Sequence, residues 1–434
     1  MRARSQLHHV GAVLLAFSLA TTVGVHAQGQ AAPSPLTKPL TIDDAVRLAF
    51  EHNQTLRATR LTIDESKADE ITAGLKPNPT LSLGADGFTV FSPAQMNWSF
   101  LRDSVNYSAG LDYVFERGNK RDKRIVVAQD STDVAGKSVQ DAERQLRFQA
   151  EQAFIGVLLA KSTLELAQQD LKDFSQVVDV NQQRVNAGDL AQGDFLMIKL
   201  QQLQFEQDAS AAELSVIQSK ASLRQLVGYD TVPEDFDVAG ELTHKKVTVT
   251  LDSLKQVALL SRPDLLAAQS GVKLAVDSAA LEVSNRARNI DGSIDYTRNG
   301  FGPVSTIGVG VSFDLQFHDR NQGNIAHTQI AVQQAKETEA AARALVLTDV
   351  VGAHAGYQTN EKVVALFESG YLDEAKESLD ISMYVFQRGA GSLLALLDAE
   401  RSYRSTQLAY RQALAAYMTS VRQLNFVVGK QVIP

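Results

Sequence analysis

The chain has 434 residues, with 42 Lys and Arg against 50 Asp and Glu and a formal charge of −8. It contains no cysteine, which excludes disulfides, thiolate metal sites and a cysteine-borne lipid. An acidic balance of this kind also argues against nucleic acid as a partner.

Residues 1–27 read as a secretory signal peptide. Arg2 and Arg4 precede an apolar run from Val10 to Val23, and Val25 and Ala27 put small residues at the −3 and −1 positions of a cleavage site. Removing the segment takes two basic residues with it and moves the formal charge from −8 to −10. A linker, 28–40, follows. Nowhere beyond residue 27 is there an apolar run of about 18 residues, so no transmembrane helix is expected. If the protein enters a membrane, strands must put it there.

From residue 41 the chain is a duplication. The stretch LTIDDAVRLAFEHNQTL (40–56) resembles VTLDSLKQVALLSRPDL (249–265), pairing Thr41 with Thr250, Asp43 with Asp252, Ala49 with Ala258 and Leu56 with Leu265 at an offset of 209. Near the far ends, RQLVG closing at Gly228 matches NFVVG closing at Gly429 at an offset of 201. This gives a first repeat over 41–228, an inter-repeat linker over 229–248 packed around a helical waist, a second repeat over 249–429 and a tail over 430–434.

In the first repeat, Pro77 and Pro79 stop a helix and force extended backbone. Strands are expected at about 79–91 and 103–116. In the latter Val105, Tyr107, Ala109, Leu111, Tyr113 and Phe115 alternate with Asn106, Ser108, Gly110 and Asp112. The segment 91–104 between them carries Trp98, the only tryptophan. A helix over about 120–187 comes next, opening on the basic cluster Lys120, Arg121, Lys123 and Arg124, read as a solvated rim. AGKS at 135–138 is no phosphate loop, because Ser131 stands where the motif needs glycine and the stretch lies within this helix.

Apolar or small residues recur at alternating spacings of three and four: Leu146, Ala150, Ala153, Val157, Ala160, Leu164, Ala167, Leu171, Phe174, Val178 and Val185, with Asn181 filling one step. A sustained period of about 3.5 keeps a seam facing a partner helix. RVNAGDLAQGD (184–194) then breaks the helix with a glycine, which leaves an α-helix in the left-handed region at little cost. A return helix over 194–227 completes the hairpin.

The second repeat follows the same plan. Strands are expected at about 289–298 and 304–317, with Ile307, Val309, Val311, Phe313, Leu315 and Phe317 alternating with polar or small residues. The seam continues at the 201 offset through Leu372, Ala375, Leu379, Ser382 and Phe386 to a break in QRGAGSLLALLD (387–398). The offset pairs Gly188 with Gly389 rather than Gly391. A closing helix spans 393–428.

The fold class implied is mainly α with β: antiparallel coiled-coil hairpins with the glycines at one tip, plus four amphipathic strands. Apolar-out, polar-in strands of about ten residues mark outer-membrane barrels, which need about eight strands, so one chain cannot close a barrel. No nucleophile, base or metal constellation is present. Beyond residue 27 the histidines His52, His244, His318, His327 and His354 form no ligand pair on a helix face, so no catalytic residue, cofactor or metal site is expected. A cell-surface structural or adhesive coiled-coil rod is the rival reading, but a rod has no use for such strands.

The paired hairpin turns, the RQLVG and NFVVG repeat ends and the strand entry PNPTLSL, in this order, resemble the TolC-type outer-membrane efflux proteins from Thr41 to Gly429. The junctions ERGNKRDKR (116–124) and FDLQFHDRNQGNIA (313–326) are similar to those of the heavy-metal-efflux, CzcC-type branch. The resemblance implies a homotrimer in the outer membrane: a twelve-stranded barrel continuing into a periplasmic helical barrel, a passive duct engaged by a periplasmic adaptor and an inner-membrane pump. The hairpin tips would form its periplasmic gate. Of the family's gate pattern this chain keeps Asp194, six residues after Gly188, and Asp398, nine after Gly389. Ala395, Gly391 and Phe386 replace the usual carboxylate, arginine and tyrosine. Closure is therefore expected to rest on packing of Phe386, Leu393 and Leu397, with Asp398 forming a carboxylate ring across three copies.

Overall fold

The computed structural model describes residues 38–88, 96–300, 302 and 304–433. The signal peptide and nearly all of the 28–40 linker lie outside these residues, as does 89–91 of the first expected strand.

Each repeat opens with two helices: α1 (Ile42–His52) and α2 (Gln54–Gly74) in the first, α6 (Leu251–Ser261) and α7 (Pro263–Asn285) in the second. Thr41 and Asp44 build a reciprocal capping box that starts α1. Asn53 both ends α1 and caps α2, its Oδ1 accepting from Leu56 N at 2.9 Å and its Nδ2 donating to Leu226 O at 3.1 Å. Arg262 holds the equivalent place in the second repeat and donates to Val427 O at 3.2 Å. Each of these side chains ties the head of a repeat to its far end.

Four strands form one antiparallel sheet in chain order: β1 (Thr80–Asp86), β2 (Asn106–Phe115), β3 (Ile290–Arg298) and β4 (Ser305–Ser312). The β2–β3 pairing, from Tyr107–Arg298 to Phe115–Ile290, joins the two repeats. Three of the strands are shorter than the alternation suggested. Residues 98–103 form a short helix, α3 (Trp98–Asp103), so β2 begins at Asn106. The last β4 pair is Ser312 with Asp291, so the alternating Phe313, Leu315 and Phe317 have no β3 neighbour and lie outside the strand.

The long helix α4 (Lys120–Ala187) runs unbroken for 68 residues, about 100 Å at the usual α-helical rise. It returns as α5 (Gln192–Val227). The second repeat departs from the expected design. Its long helix is α8 (Gln322–Leu366), followed by a π-helical turn, Phe367–Tyr371, and then α9 (Leu372–Gln387). Gly370, at φ 128°, carries the break. The helix α10 (Leu393–Val428) returns along it.

The basic cluster after β2 is not a solvated rim. Lys120 is buried with its Nζ 2.7 Å from Asn289 Oδ1, Arg121 donates to Gly74 O at 2.6 Å, and Arg124 pairs with Glu116 at 2.5 Å. Three of these four cations therefore lock the strand-to-helix junction.

One apolar core joins α1, α4, the end of α5 and Val232, Phe236 and Val238 of the inter-repeat segment. A second joins α6, α8 and α10. The inter-repeat segment crosses both. Leu40 bridges Val238, Lys161 pairs with Asp237 at 2.6 Å, and the Tyr357 hydroxyl donates to Val247 O at 2.7 Å.

Candidate functional site

Two regions carry what this architecture can do: the four-stranded sheet and the hairpin tips. Across the sheet, register places side chains in rows. Leu81, Leu111, Ile294 and Val309 form one row, and Leu83, Ala109, Tyr296 and Ile307 the next, all on one face. All of these but the half-buried Ala109 are exposed, Leu83 at 76% and Val309 at 79%. The opposite face carries Ser82, Gly110, Asp295 and Gly308 in one row and Thr80, Asp112, Ser293 and Gly310 in another.

That polar face is crowded. A Cβ on Gly308 would sit 2.5 Å from Asp295 Oδ1, and one on Gly310 would sit 2.5 Å from Ser293 Oγ. Glycine is needed where neighbouring strands bring polar side chains over the backbone. Among the described residues both outer strands, β1 and β4, pair on one side only. An apolar sheet face of this extent, with two open edges, is a surface made to be covered.

The tips are built alike. Gly188 ends α4 at φ 85° and Gly389 follows α9 at φ 72°. In the first turn Gly188 N donates to Val185 O at 3.0 Å and Asp189 N to Arg184 O at 2.8 Å. In the second, Gly389 N donates to Phe386 O at 3.0 Å and Ala390 N to Val385 O at 3.1 Å. These are the same two bonds at the same offset, and they satisfy the last helical carbonyls. Ser392 caps α10 through its hydroxyl, which accepts from Ala395 N at 3.2 Å.

Within one chain the tips pack on each other. Phe174 and Phe205 stack with ring centroids 4.6 Å apart, and Val178, Phe195 and Ile198 complete a small buried core. Leu393 and Leu397 of the second hairpin pack against it. Phe386 is buried, with the Arg184 guanidinium 5.3 Å over its ring. The structure therefore brings Phe386, Leu393 and Leu397 to the first hairpin. It does not bring the two aspartates together. Asp194 stands exposed in the first turn of α5, and Asp398 is exposed and pairs with Arg401 at 3.1 Å.

Two features escaped the sequence reading. The break at Phe367–Tyr371 had one available signal, an isolated glycine inside a helical pattern. The second is a group of charges around Asp170, Asp208, Glu400 and Arg404, drawn from three helices whose contact no spacing in the chain announces. Among the described residues no group of three or more His, Cys, Asp or Glu is placed to hold a metal ion, and no helix is long and apolar enough to cross a membrane.

The family model described as Outer membrane efflux protein matches residues 45–229 and 254–430, one match in each repeat. The cobalt-zinc-cadmium resistance protein CzcC of Cupriavidus metallidurans is 22% identical over 401 residues, covering 92% of each chain. The probable outer membrane lipoprotein SilC of Salmonella typhimurium is 23% identical over 394 residues, covering 83% of this chain and 79% of its own. Among solved structures, the Campylobacter jejuni CmeC outer membrane channel superposes with a TM-score of 0.76 at 12% identity, covering 99% of this chain and 96% of its own. The rod reading finds no support in these likenesses, and the sheet, the duplicated hairpins and the family match converge. The chain belongs to the outer membrane efflux protein family.

Proposed function

We propose that three copies of this chain form a passive duct of a tripartite efflux system. Their sheets close a twelve-stranded barrel in the outer membrane, and their helices carry the channel through the periplasm to an adaptor and an inner-membrane pump. The observation that carries the reading is the sheet itself: two open edges and, on one face, two adjacent rows of apolar side chains across all four strands. Lipid would leave the edge N–H and C=O groups unsatisfied, and edge pairing between copies satisfies them all.

Divalent metal cations are the proposed cargo. CzcC is named for cobalt, zinc and cadmium resistance, and the net charge of the chain is negative. SilC is described as a lipoprotein; this chain has no cysteine to carry a lipid.

The tips are the proposed gate, closed by apolar packing rather than by polar links between copies. Asp194 and Asp398 both face solvent there, and Asp398 is the proposed ring residue. Its partner Arg401 offsets part of its charge, so the ring would bias the lumen towards cations without excluding anions.

Purification in detergent followed by mass measurement and planar-bilayer recording tests the assembly. A trimer that conducts ions is the expected result, and a monomer without conductance would end the proposal. In the same recordings Asp398→Asn lowers cation preference; unchanged selectivity would remove the ring while leaving the duct standing. Deletion of the gene is expected to sensitise cells to divalent metals before organic compounds.

A further inference from the structure

A cavity of about 500 Å³ opens between α4, α5 and α10 and shares Phe205 with the apolar core of the tips. Its walls are largely apolar, with Leu166, Ala167, Phe205, Ala212 and Leu408 among them. Asp170 also lines it, is only 9% exposed, and has its Oδ2 buried without a hydrogen-bond partner among the described residues. A buried carboxylate is costly unless a donor or a bound cation replaces its hydration.

The guanidiniums nearby already have hydrogen-bond partners. Asp208 pairs with Arg404 at 2.5 Å and also accepts from Gln204 at 2.9 Å. The Arg404 guanidinium lies 4.8 Å over the Phe205 ring. Arg401 is paired with Asp398, and Arg411 donates to Ser162 Oγ at 3.0 Å and to Gln407. Asp170 remains, with Asp173 of its own helix and Glu400 of α10 adding negative charge beside it. Asp170, Asp208, Arg401 and Arg404 all line the cavity, and of these four Asp170 is the one with no hydrogen-bond or ion-pair partner among the described residues.

We propose that this cavity binds a small amphiphilic organic cation, its ammonium group on Asp170 and its apolar body against Phe205, Ala212 and Leu408. A volume of about 300–1,000 Å³ with apolar walls and one or two convergent polar groups is the usual form of a small-molecule site. A hard metal ion fits less well, since it wants several oxygen ligands, and the described residues include no group of three or more candidate ligand side chains arranged for one. The bound cation would touch α4 and α5 of the first hairpin and α10 of the second, so occupancy bears on how the two are held together. The site lies within one chain and stands apart from the duct reading.

Burial pushes the Asp170 carboxyl up to about 6, against the pull of Arg404 and Arg411 and with help from Asp173 and Asp208. Burial raises Glu400 as well, with Asp170 adding to it. Cation binding should therefore weaken as pH falls through that value, because the protonated acid offers no charge.

Calorimetric titration of the full-length protein in detergent, with 1-naphthylmethylamine and the neutral 1-naphthylmethanol as probes, tests the site. At about pH 8 the amine should bind once per chain and about tenfold tighter than the alcohol, the scale of a hydrogen bond to a buried charge. Asp170→Asn should abolish that preference, as should lowering the wild type to about pH 5. Ala212→Leu fills the cavity and should lose both probes while the fold persists by circular dichroism. Equal binding of amine and alcohol, or a preference that survives Asp170→Asn, would overturn the proposal. So would no binding to the assembled protein, which would mean that another copy or the wall itself closes the cavity.

Discussion

The two repeats share a plan and differ at one level along their long helices. The offset of 201 that pairs Gly188 with Gly389 also sets Gln169 and Asp170 of α4 against Gly370 and Tyr371. In the first repeat this level holds an unbroken helix with a buried carboxylate beside a cavity. In the second it holds a π-helical turn with a glycine at φ 128°. One scaffold has thus been loaded with charge in one half and with a bend in the other. π-turns inside long helices are frequent at functional sites, and only the second repeat has one at this level.

The largest expected effect separates the heads of the two repeats. Arg262 is buried and pairs with Asp264 at 2.6 Å and Asp349 at 2.8 Å while also reaching Val427 O. Arg262→Met strands two carboxylates and should cost about 3–5 kcal/mol. Asn53→Ala, at the equivalent place, removes a neutral cap and one bond and should cost about 1–2 kcal/mol. Burial tends to raise the Asp264 carboxyl, but its bonds to Arg262 outweigh that and hold it below the usual range. A carboxyl with a lowered folded pKa contributes stability above its unfolded value and loses it as pH falls through the folded one. Acid melting of the wild type should therefore steepen below about pH 4, and Arg262→Met should flatten that limb. Equal losses for the two variants would refute the ranking.

Asp170 works in the opposite sense. Its folded pKa of about 6 lies above the ordinary 3.8, so the folded state binds the proton more tightly. Stability contributed by that proton is full below the unfolded value and is lost as pH rises through about 6. Asp170→Asn should raise stability above pH 6 by roughly 2 kcal/mol and change little below about pH 4. Melting curves of wild type and variant across that range check it. A variant less stable at high pH would mean that the carboxylate has a partner.

These contrasts also show which levels of structure the sequence exposes. The seam from Leu146 to Val185 and the alternation in β2 and β4 were legible, because period and face are local properties of a chain. The tip glycines were legible because left-handed helix exits favour one residue type. The end of β4 at Ser312 was not, since alternation persists through Phe317 while pairing depends on where β3 begins. The break at Gly370 hid behind a seam that keeps its register through Leu372 and Ala375. The charges around Asp170 required three helices to meet, and the basic residues after β2 found partners in α2 and in the α7–β3 connection.

Gly370→Ala probes the bend directly. Nothing lies within 4 Å of an added Cβ, so the only penalty is the backbone conformation, about 1–2 kcal/mol for alanine held at positive φ. The helix can escape by straightening, and hydrogen exchange over 366–372 would then slow. Gln169→Ala at the matching position should be within about 0.5 kcal/mol of neutral. If both substitutions behave alike, the bend is a passive feature of the second repeat.

The smallest effects belong to the tips, where the repeats agree. Gly188 and Gly389 share left-handed geometry and the same closing bonds, and a methyl group added to either would meet no atom within 4 Å. Gly188→Ala and Gly389→Ala should each cost about 1 kcal/mol, the penalty of a left-handed alanine, and the two values should agree within about 0.5 kcal/mol. What lies beyond the turns differs: α10 is capped by Ser392, whereas α5 starts at Ala191 without a side-chain cap. Ser392→Ala should therefore cost a further ~1 kcal/mol that Ala191→Ser partly returns in the first hairpin. Matched glycine effects with unmatched cap effects would show that the duplication preserved the turn and let the helix starts diverge.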